Sequence, residues 1–141
     1  MSEESATPAP VELVRSLFAA AQRTDFDAIT GLLRHDAVFE SVALGLRLEG
    51  ATAIRGFLEE WIGAYDEYVV NIDELRELAP GVVFAASRSE ARLPGSAAPI
   101  RQREAYVFVF VRALIARVTG YLEIHEGRAA AERLAEERVG A

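Results

Sequence analysis

Residues 100–111 read IRQREAYVFVFV, and they are the most informative segment of the chain. Their side chains alternate with a period of two, which predicts a long β-strand. From Tyr106 to Val111, aromatic side chains occupy one face of this strand and valines occupy the other. An antiparallel sheet with one face in water shows polar residues on that face. We therefore expect both faces of the sheet to be covered here.

Helices can cover one of these faces, and the valine face then needs a second cover. We expect a homodimer through Val107, Val109 and Val111, because most soluble oligomers are symmetric assemblies of one chain. The alternative is that the C-terminal helix, about residues 128–139, folds back over the valines. That helix has only a narrow apolar face, which favours the homodimer.

Similar strand patterns lie on both sides of this segment. Residues 82–93 predict a strand that ends at the turn Pro94-Gly95-Ser96, and residues 114–124 predict another after a tight connection. Alternation also begins at Tyr68, before a turn at residues 79–81. Together these patterns predict an antiparallel meander.

The first half of the chain predicts three helices. Pro10 suits the first turn of one helix, Thr24 begins a second that ends at His35-Asp36, and Gly50 leads into a third. The apolar stripe of the third helix comprises Ile54, Phe57, Leu58, Trp61, Ile62 and Tyr65. Between the second and third helices we expect a strand at residues 37–42 and a short strand at 44–49. Helices packed against an antiparallel sheet give the α+β class.

Length and charge limit what the protein does. The 141 residues predict one domain, residues 11–141, after a flexible acidic tail at residues 1–10. A net charge of -7 argues against a nucleic-acid partner. No segment reaches the ~18 apolar residues of a membrane span, and the N-terminus lacks the features of a signal peptide. We therefore expect a cytoplasmic protein.

The residue types also limit the chemistry. The chain has no cysteine, which excludes disulfides, thiolate zinc sites and a cysteine nucleophile. Its two histidines, His35 and His125, are far apart in sequence. A zinc site needs three or four clustered ligands. We therefore expect neither a metal nor a cofactor.

Glu104 is the one carboxylate on the aromatic face of residues 100–111. If that face is concave, Glu104 lies with Gln102, Tyr106 and Phe108 in an apolar pocket, which is the usual form of a small-molecule site. A buried carboxylate has a raised pKa and suits general acid–base catalysis. The alternatives are that Glu104 lies at the pocket mouth or pairs with an arginine. The further lining candidates are Phe39, Ser41, Trp61, Tyr65, Ser87 and Ser89.

Four motifs follow one another along the chain: DFDAI at residues 25–29, HDAVFE at 35–40, GATAIRGF at 50–57 and LIARVTGYLE at 114–123. In this order they resemble the nuclear-transport-factor-2-like superfamily, which includes ketosteroid isomerase-like and SnoaL-like polyketide cyclase proteins. The resemblance implies a cone-shaped, strongly bent and mostly antiparallel sheet wrapped around the N-terminal helices, with a pocket at its open end. It also implies chemistry on apolar small molecules without a cofactor.

The catalytic positions that the resemblance implies hold other residues here. Ketosteroid isomerases carry a base, a first-helix tyrosine and a second acid, whereas epoxide hydrolases of this fold carry a strand arginine, a strand aspartate and a last-strand aspartate. In that order, the matching positions hold Ser41, Leu17, Tyr106, Ser87, Ser89 and Gly120. Neither catalytic apparatus is intact.

These observations lead to one functional hypothesis and two alternatives. The first is a SnoaL-like pocket protein in which Glu104 moves a proton on a small apolar substrate, as an isomerase, cyclase or dehydratase. The second is a non-catalytic protein that binds a small apolar molecule. The third is a dimerisation module whose pocket has lost its role.

Overall fold

The structure is a computed structural model, and it describes residues 8–140. Its elements are α1 Pro10–Gln22, α2 Phe26–Gly31, β1 Leu33–Ser41, β2 Leu46–Glu49, α3 Ala51–Ile62, β3 Glu67–Ala79, β4 Val82–Arg92, β5 Ile100–Val111, β6 Leu114–Tyr121 and α4 Ile124–Gly140. The predicted α+β class is confirmed. Helix α1 begins at Pro10, the last residue of the predicted tail. Residues 1–7 of that tail lie outside the described residues.

The strands form one six-stranded sheet in the order β2-β1-β6-β5-β4-β3. All neighbouring pairs are antiparallel except β1 and β6, which are parallel. Leu48 of the edge strand β2 and Leu75 of the opposite edge strand β3 pack against the same core. The sheet therefore bends, and a bulge between Ile72 and Glu74 in β3 adds to the bend. The predicted bent, mostly antiparallel sheet is confirmed.

The aromatic face of β5 is the concave face, and helices α1, α2 and α3 cover it. Val14 of α1 and Ile54 of α3 are buried in one apolar cluster with Phe108 and Phe110 of β5. These helices are amphipathic, so the hydrophobic effect holds their apolar sides against the sheet. Among residues 8–140, no helix combines the length and the apolar character needed to cross a membrane.

The C-terminal helix α4 covers much of the opposite, convex face. Ala131 and Ala135 of α4 join an apolar cluster with Phe84 and Val107, and Val107 is only 1% exposed. Gly127 allows the helix to lie close to the sheet: a Cβ atom added there would lie 2.7 Å from the Cβ atom of Ala105. The face of α4 that contacts the sheet consists of small residues. For this reason the sequence indicated an apolar surface too small to cover the valines.

An ion pair at the same interface fixes the start of α4. Arg128 donates to both carboxylate oxygens of Glu74 in β3, at 2.7 and 2.8 Å. Its guanidinium carbon also lies 4.9 Å from the centre of the Phe84 ring. Such a bidentate pair is stronger and more directional than a single ionic contact.

The C-terminal helix therefore covers part of the valine face, which is the predicted alternative to a homodimer. Val109 is half-buried, and Val111 at the end of β5 is 38% exposed. A homodimer through this remaining apolar surface stays a prediction.

Several predicted boundaries are wrong. Asp25, and not Thr24, caps α2, because its carboxylate accepts a hydrogen bond of 3.1 Å from the amide of Ala28. His35 and Asp36 lie within β1 and do not end a helix, since α2 is short and β1 already begins at Leu33. The last strand ends at Tyr121, because the chain turns there and α4 begins at Ile124.

Candidate functional site

A cavity of about 260 Å³ opens on the concave side of the sheet. It lies among β1, α3, β5, β6 and the connections that follow β1 and β6. Its lining residues are Phe39, Ser41, Ala43, Leu44, Phe57, Trp61, Gln102, Glu104, Tyr106, Gly120, Tyr121 and Leu122. Most of these side chains are apolar, and a few polar groups converge on the same space, as is typical of small-molecule sites.

One wall of the cavity is a row of three aromatic rings. The ring of Phe57 lies 5.8 Å from that of Phe39 and 5.7 Å from that of Trp61, measured between ring centres. Phe57 and Trp61 are one helical turn apart in α3, so they lie on the same side of that helix. Phe39 comes from β1, and the wall therefore joins the helix to the sheet.

The polar centre of the cavity is a hydrogen bond between Tyr106 and Glu104. The Tyr106 hydroxyl donates to Oε1 of Glu104 at 2.7 Å. The two residues are neighbours on the same face of β5, because side chains two positions apart lie on one side of a strand. No arginine of the described chain forms an ion pair with Glu104, so the predicted alternative of an arginine partner is wrong.

The apolar surroundings change the acidity of both groups. Burial raises the pKa of Glu104, although the hydrogen bond from Tyr106 acts in the opposite direction. Burial also raises the pKa of the Tyr106 phenol well above its ordinary value, and the nearby charge of Glu104 adds to this effect. Tyr106 therefore remains protonated and acts as a hydrogen-bond donor.

The ring of Tyr106 is held between α1 and β6. It meets Phe18 of α1 edge-on, at 5.9 Å between ring centres. On the other side is Gly120 of β6, where an added Cβ atom would lie 3.3 Å from the ring. Gly120 therefore leaves the space that the Tyr106 ring occupies.

A smaller chamber of about 80 Å³ lies next to the main cavity and shares Phe39, Trp61 and Tyr106 with it. Phe108, which the sequence placed in the pocket, lines this chamber and not the main cavity. Tyr68 of β3 lines it as well. Burial raises the pKa of Tyr68, and the charge of Glu104 acts in the same direction.

The structure brings most of the sequence-predicted site residues together. Those that line the main cavity are Phe39, Ser41, Trp61, Gln102, Glu104 and Tyr106. Besides Phe108, three others do not line it. Ser87 lies opposite Glu104 in the strand register but is only 2% exposed, because it is enclosed by the packed sheet surface. Ser89 borders a separate shallow depression beside Arg88 and Glu90.

Tyr65 is the third exception, because it lies beyond the end of α3 at Ile62. Its ring stacks on that of Tyr68, with 6.2 Å between ring centres. The helical stripe therefore stops one turn earlier than the sequence indicated, and Tyr65 supports the neighbouring strand.

Sequence reasoning missed several lining residues. Phe57 was assigned to the third helix's core stripe, although its position one turn before Trp61 was a signal for the cavity wall. Leu44 and Leu122 lie in connections, where no periodic pattern indicates the direction of a side chain. Leu44 is 70% exposed and lies at the cavity mouth.

The cavity lining offers one carboxylate and no histidine, which is too few ligands for a typical metal site. Within residues 8–140, no group of three or more histidine, cysteine or acidic residues is placed to hold a metal ion.

The sequence profile of the SnoaL-like domain matches residues 14–118 of the chain. No curated protein matches the sequence at a significant level. The matches to solved structures have low sequence identity but good overlap. One is a hypothetical protein with a ketosteroid isomerase-like fold from Catenulispora acidiphila, in complex with trimethylamine; it is 20% identical, with a TM-score of 0.71, over 81% of this chain and 86% of its own.

Two further structures extend over more of the chain. An LEH-like epoxide hydrolase from M. tuberculosis is 19% identical, with a TM-score of 0.70, over 93% of this chain and 96% of its own. A protein described as a SnoaL-like polyketide cyclase from Shewanella putrefaciens is 14% identical, with a TM-score of 0.72, over 94% of this chain and 91% of its own. At these identities the similarity concerns the fold. Together with the domain match, it confirms the predicted superfamily.

Proposed function

Since the chain belongs to the SnoaL-like domain family, we propose that its cavity binds a small, largely apolar organic molecule and that Glu104 transfers a proton on that molecule. The observation that carries this proposal is the hydrogen bond between Tyr106 and Glu104 within an otherwise apolar cavity. The reaction class is that of a cofactor-independent isomerase, cyclase or dehydratase.

Glu104 has the properties of a general base in this setting. A base works best when its pKa lies near the operating pH, and burial moves the pKa of Glu104 upward in that direction. Tyr106 orients the carboxylate through Oε1, which leaves Oε2 to accept a proton from a ligand carbon. The same carboxyl group then returns the proton to another atom of the ligand, as an isomerisation requires.

Negative charge that develops on the ligand needs a hydrogen-bond donor. The Gln102 amide and the Ser41 hydroxyl are the candidates at the main cavity. Ser41 accepts a hydrogen bond of 3.3 Å from the amide of Leu44, which leaves its own hydroxyl hydrogen for a ligand.

The cavity volume limits the size of the ligand. Sites for drug-sized molecules span roughly 300–1,000 Å³, and the main cavity of about 260 Å³ lies just below that range. A ligand with one ring or a short branched chain fits inside, whereas a fused four-ring molecule would extend beyond Leu44 into solvent.

Non-catalytic binding is the second candidate, and a specific observation favours it. The cavity has one carboxylate, and the Tyr106 hydroxyl already donates its hydrogen to that group. A second acid that would protonate a leaving group is lacking among the described lining residues. Binding without reaction needs no such group.

Deuterium exchange distinguishes the two candidates without knowledge of the natural substrate. Small ketones that bind the cavity would first be selected by NMR, through shifts of the Trp61 indole resonance. Each binder is then incubated with the protein in D₂O, and mass spectrometry measures deuterium at the carbon next to the carbonyl. We expect exchange with the unmodified protein and none with Glu104→Gln, while binding is retained.

The control is Glu90→Gln, which removes an equal charge from the convex face of β4, where Glu90 pairs with Arg101 at 3.3 Å. It should exchange at the rate of the unmodified protein. Equal exchange by the Glu104→Gln variant would refute the role of Glu104. Binding without any exchange would leave the second candidate.

A further inference from the structure

We infer that the ligand of the main cavity carries a positive charge on an alkylated nitrogen, and that Glu104 and the aromatic wall bind this charge together. The inference rests on the proposed function, because it specifies the ligand class of the same cavity. The aromatic wall is the row formed by Phe39, Phe57 and Trp61.

The first argument is the charge balance of the cavity. Glu104 is the one charged residue in the described lining. Its only hydrogen-bond partner among residues 8–140 is the neutral Tyr106 hydroxyl on Oε1. No side-chain oxygen in that range is both fully buried and without a partner, so Oε2 remains accessible from the cavity. A carboxylate in apolar surroundings is costly without a cationic partner, and the ligand can provide that partner.

Residues 8–140 do not provide one. The chain has no lysine, and all of its basic residues other than the two histidines are arginines. Arg101 and Arg103 are close to Glu104 in sequence, but the alternation of β5 places them on the convex face. Arg101 pairs there with Glu90. The positive charge is therefore absent from the concave side at the point where the carboxylate lies.

The second argument is the aromatic wall. Its rings are separated by 5.8 and 5.7 Å, and their planes are inclined by only 33° and 39°. A cation within about 6 Å of such rings is attracted by their electron-rich faces, and tryptophan gives the strongest attraction. The wall and Glu104 line the same cavity, so one small cation can contact both.

The predominantly apolar lining favours alkyl groups on the nitrogen. A primary ammonium has three N–H donors that each need an acceptor, whereas Glu104, Gln102 and Ser41 supply few acceptors. Alkyl groups instead fill the apolar space and leave the charge to Glu104 and the rings. A positive charge also stabilises a carbanion next to it, so this ligand class is compatible with proton abstraction by Glu104.

The test compares choline with 3,3-dimethylbutan-1-ol, which has the same shape but no charge. Binding is followed by NMR through the indole resonance of Trp61, the single tryptophan of the chain. We expect the unmodified protein to bind choline about tenfold more tightly than the alcohol, or better. Glu104→Gln should clearly lower that ratio and leave only the smaller preference that the aromatic wall provides, whereas the control Glu90→Gln, which changes the net charge equally, should retain the full ratio.

The outcomes separate this inference from the proposed function. If the alcohol binds as tightly as choline, the cavity binds small molecules but the inference of a cation is overturned. A choline preference of unchanged size in the Glu104→Gln variant overturns the role of Glu104 in binding the charge. If neither these compounds nor neutral fragments shift the indole resonance, both the inference and the proposed function fail.

A second variant keeps the test decisive if Glu104→Gln does not fold. Phe57→Leu keeps an apolar side chain at this position and removes the central ring of the aromatic wall. This variant should show a smaller preference for choline, because Glu104 is intact but the attraction of the wall is weakened. An unchanged preference in a folded Phe57→Leu protein overturns the role of the aromatic wall in binding the charge.

Discussion

Replacement of Gly127 by alanine is expected to lower the free energy of unfolding by up to about 2 kcal/mol. The new Cβ atom would lie 2.7 Å from the Cβ atom of Ala105 and 3.2 Å from the ring of Tyr121. The Ala105 atom is fixed to the backbone of β5 and cannot rotate away, so α4 must shift. Overpacking of this kind costs about 1–3 kcal/mol. Alanine gains about 1 kcal/mol over glycine within a helix, which offsets only part of that cost.

Gly56→Ala is the matched control. Gly56 lies within α3, and an added Cβ atom there has no heavy atom within 4 Å. No steric clash then opposes the higher helix propensity of alanine, and the substitution should stabilise the protein by up to about 1 kcal/mol. The two glycine-to-alanine changes should therefore have opposite signs in urea denaturation followed by circular dichroism.

Ala105→Gly in the Gly127→Ala background tests the assigned contact. Removal of the Ala105 Cβ atom frees the space that the new methyl group needs, so the double variant should be less destabilised than the sum of the two single changes. If Gly127→Ala stabilises the protein as Gly56→Ala does, α4 does not lie on β5 as described. The convex face would then be free for another cover.

Two further predictions concern Glu104 and the convex face. Because burial raises the pKa of Glu104, the stability that this group contributes is present below its unfolded pKa and is lost as the pH rises through the folded pKa. Glu104→Gln should remove this loss and therefore be more stable than the unmodified protein at pH 7 in urea titrations. An equal decrease of the free energy of unfolding with rising pH in both proteins would contradict the assignment. For the second, we propose a homodimer through the apolar surface at Val109 and Val111, which Val109→Glu should dissociate by burying an unpaired charge. Light scattering that finds the unmodified protein monomeric at micromolar concentration would refute this proposal.

The alternation of residues 100–111 was sufficient to predict the cavity's polar centre. A period of two places Gln102, Glu104 and Tyr106 on one face, whatever the neighbouring strands do. The aromatic residues further along the same face identify it as the buried one. Local pattern and tertiary structure agree here, because the face is defined within a single strand.

The depth of a side chain below the surface and the pairing of strands that are distant in sequence were harder to predict. Ser87 lies on the predicted face of β4, opposite Glu104, but a strand pattern does not distinguish a residue under the packed surface from one that borders a cavity. The parallel pairing of β1 with β6 joins segments about eighty positions apart in sequence, and no local signal encodes it. The helix α4 was undervalued because Ala131 and Ala135 contribute little hydrophobic signal, although their small size allows close packing on Val107.

Two of the differences from the family's catalytic positions, at Tyr106 and Gly120, are linked by one contact between side chain and backbone. The resemblance places an aspartate of the epoxide hydrolases at Gly120 and an acid of the ketosteroid isomerases at Tyr106. Even a Cβ atom at position 120 would lie 3.3 Å from the Tyr106 ring, so an aspartate there would displace the ring. An acid at position 120 and a tyrosine at position 106 are therefore incompatible in the present arrangement. Displacement of the ring would also break the hydrogen bond to Glu104. The cavity lining thus has one acid, oriented by a phenol, in place of two separated acids, so the catalytic roles of those relatives cannot be transferred to it.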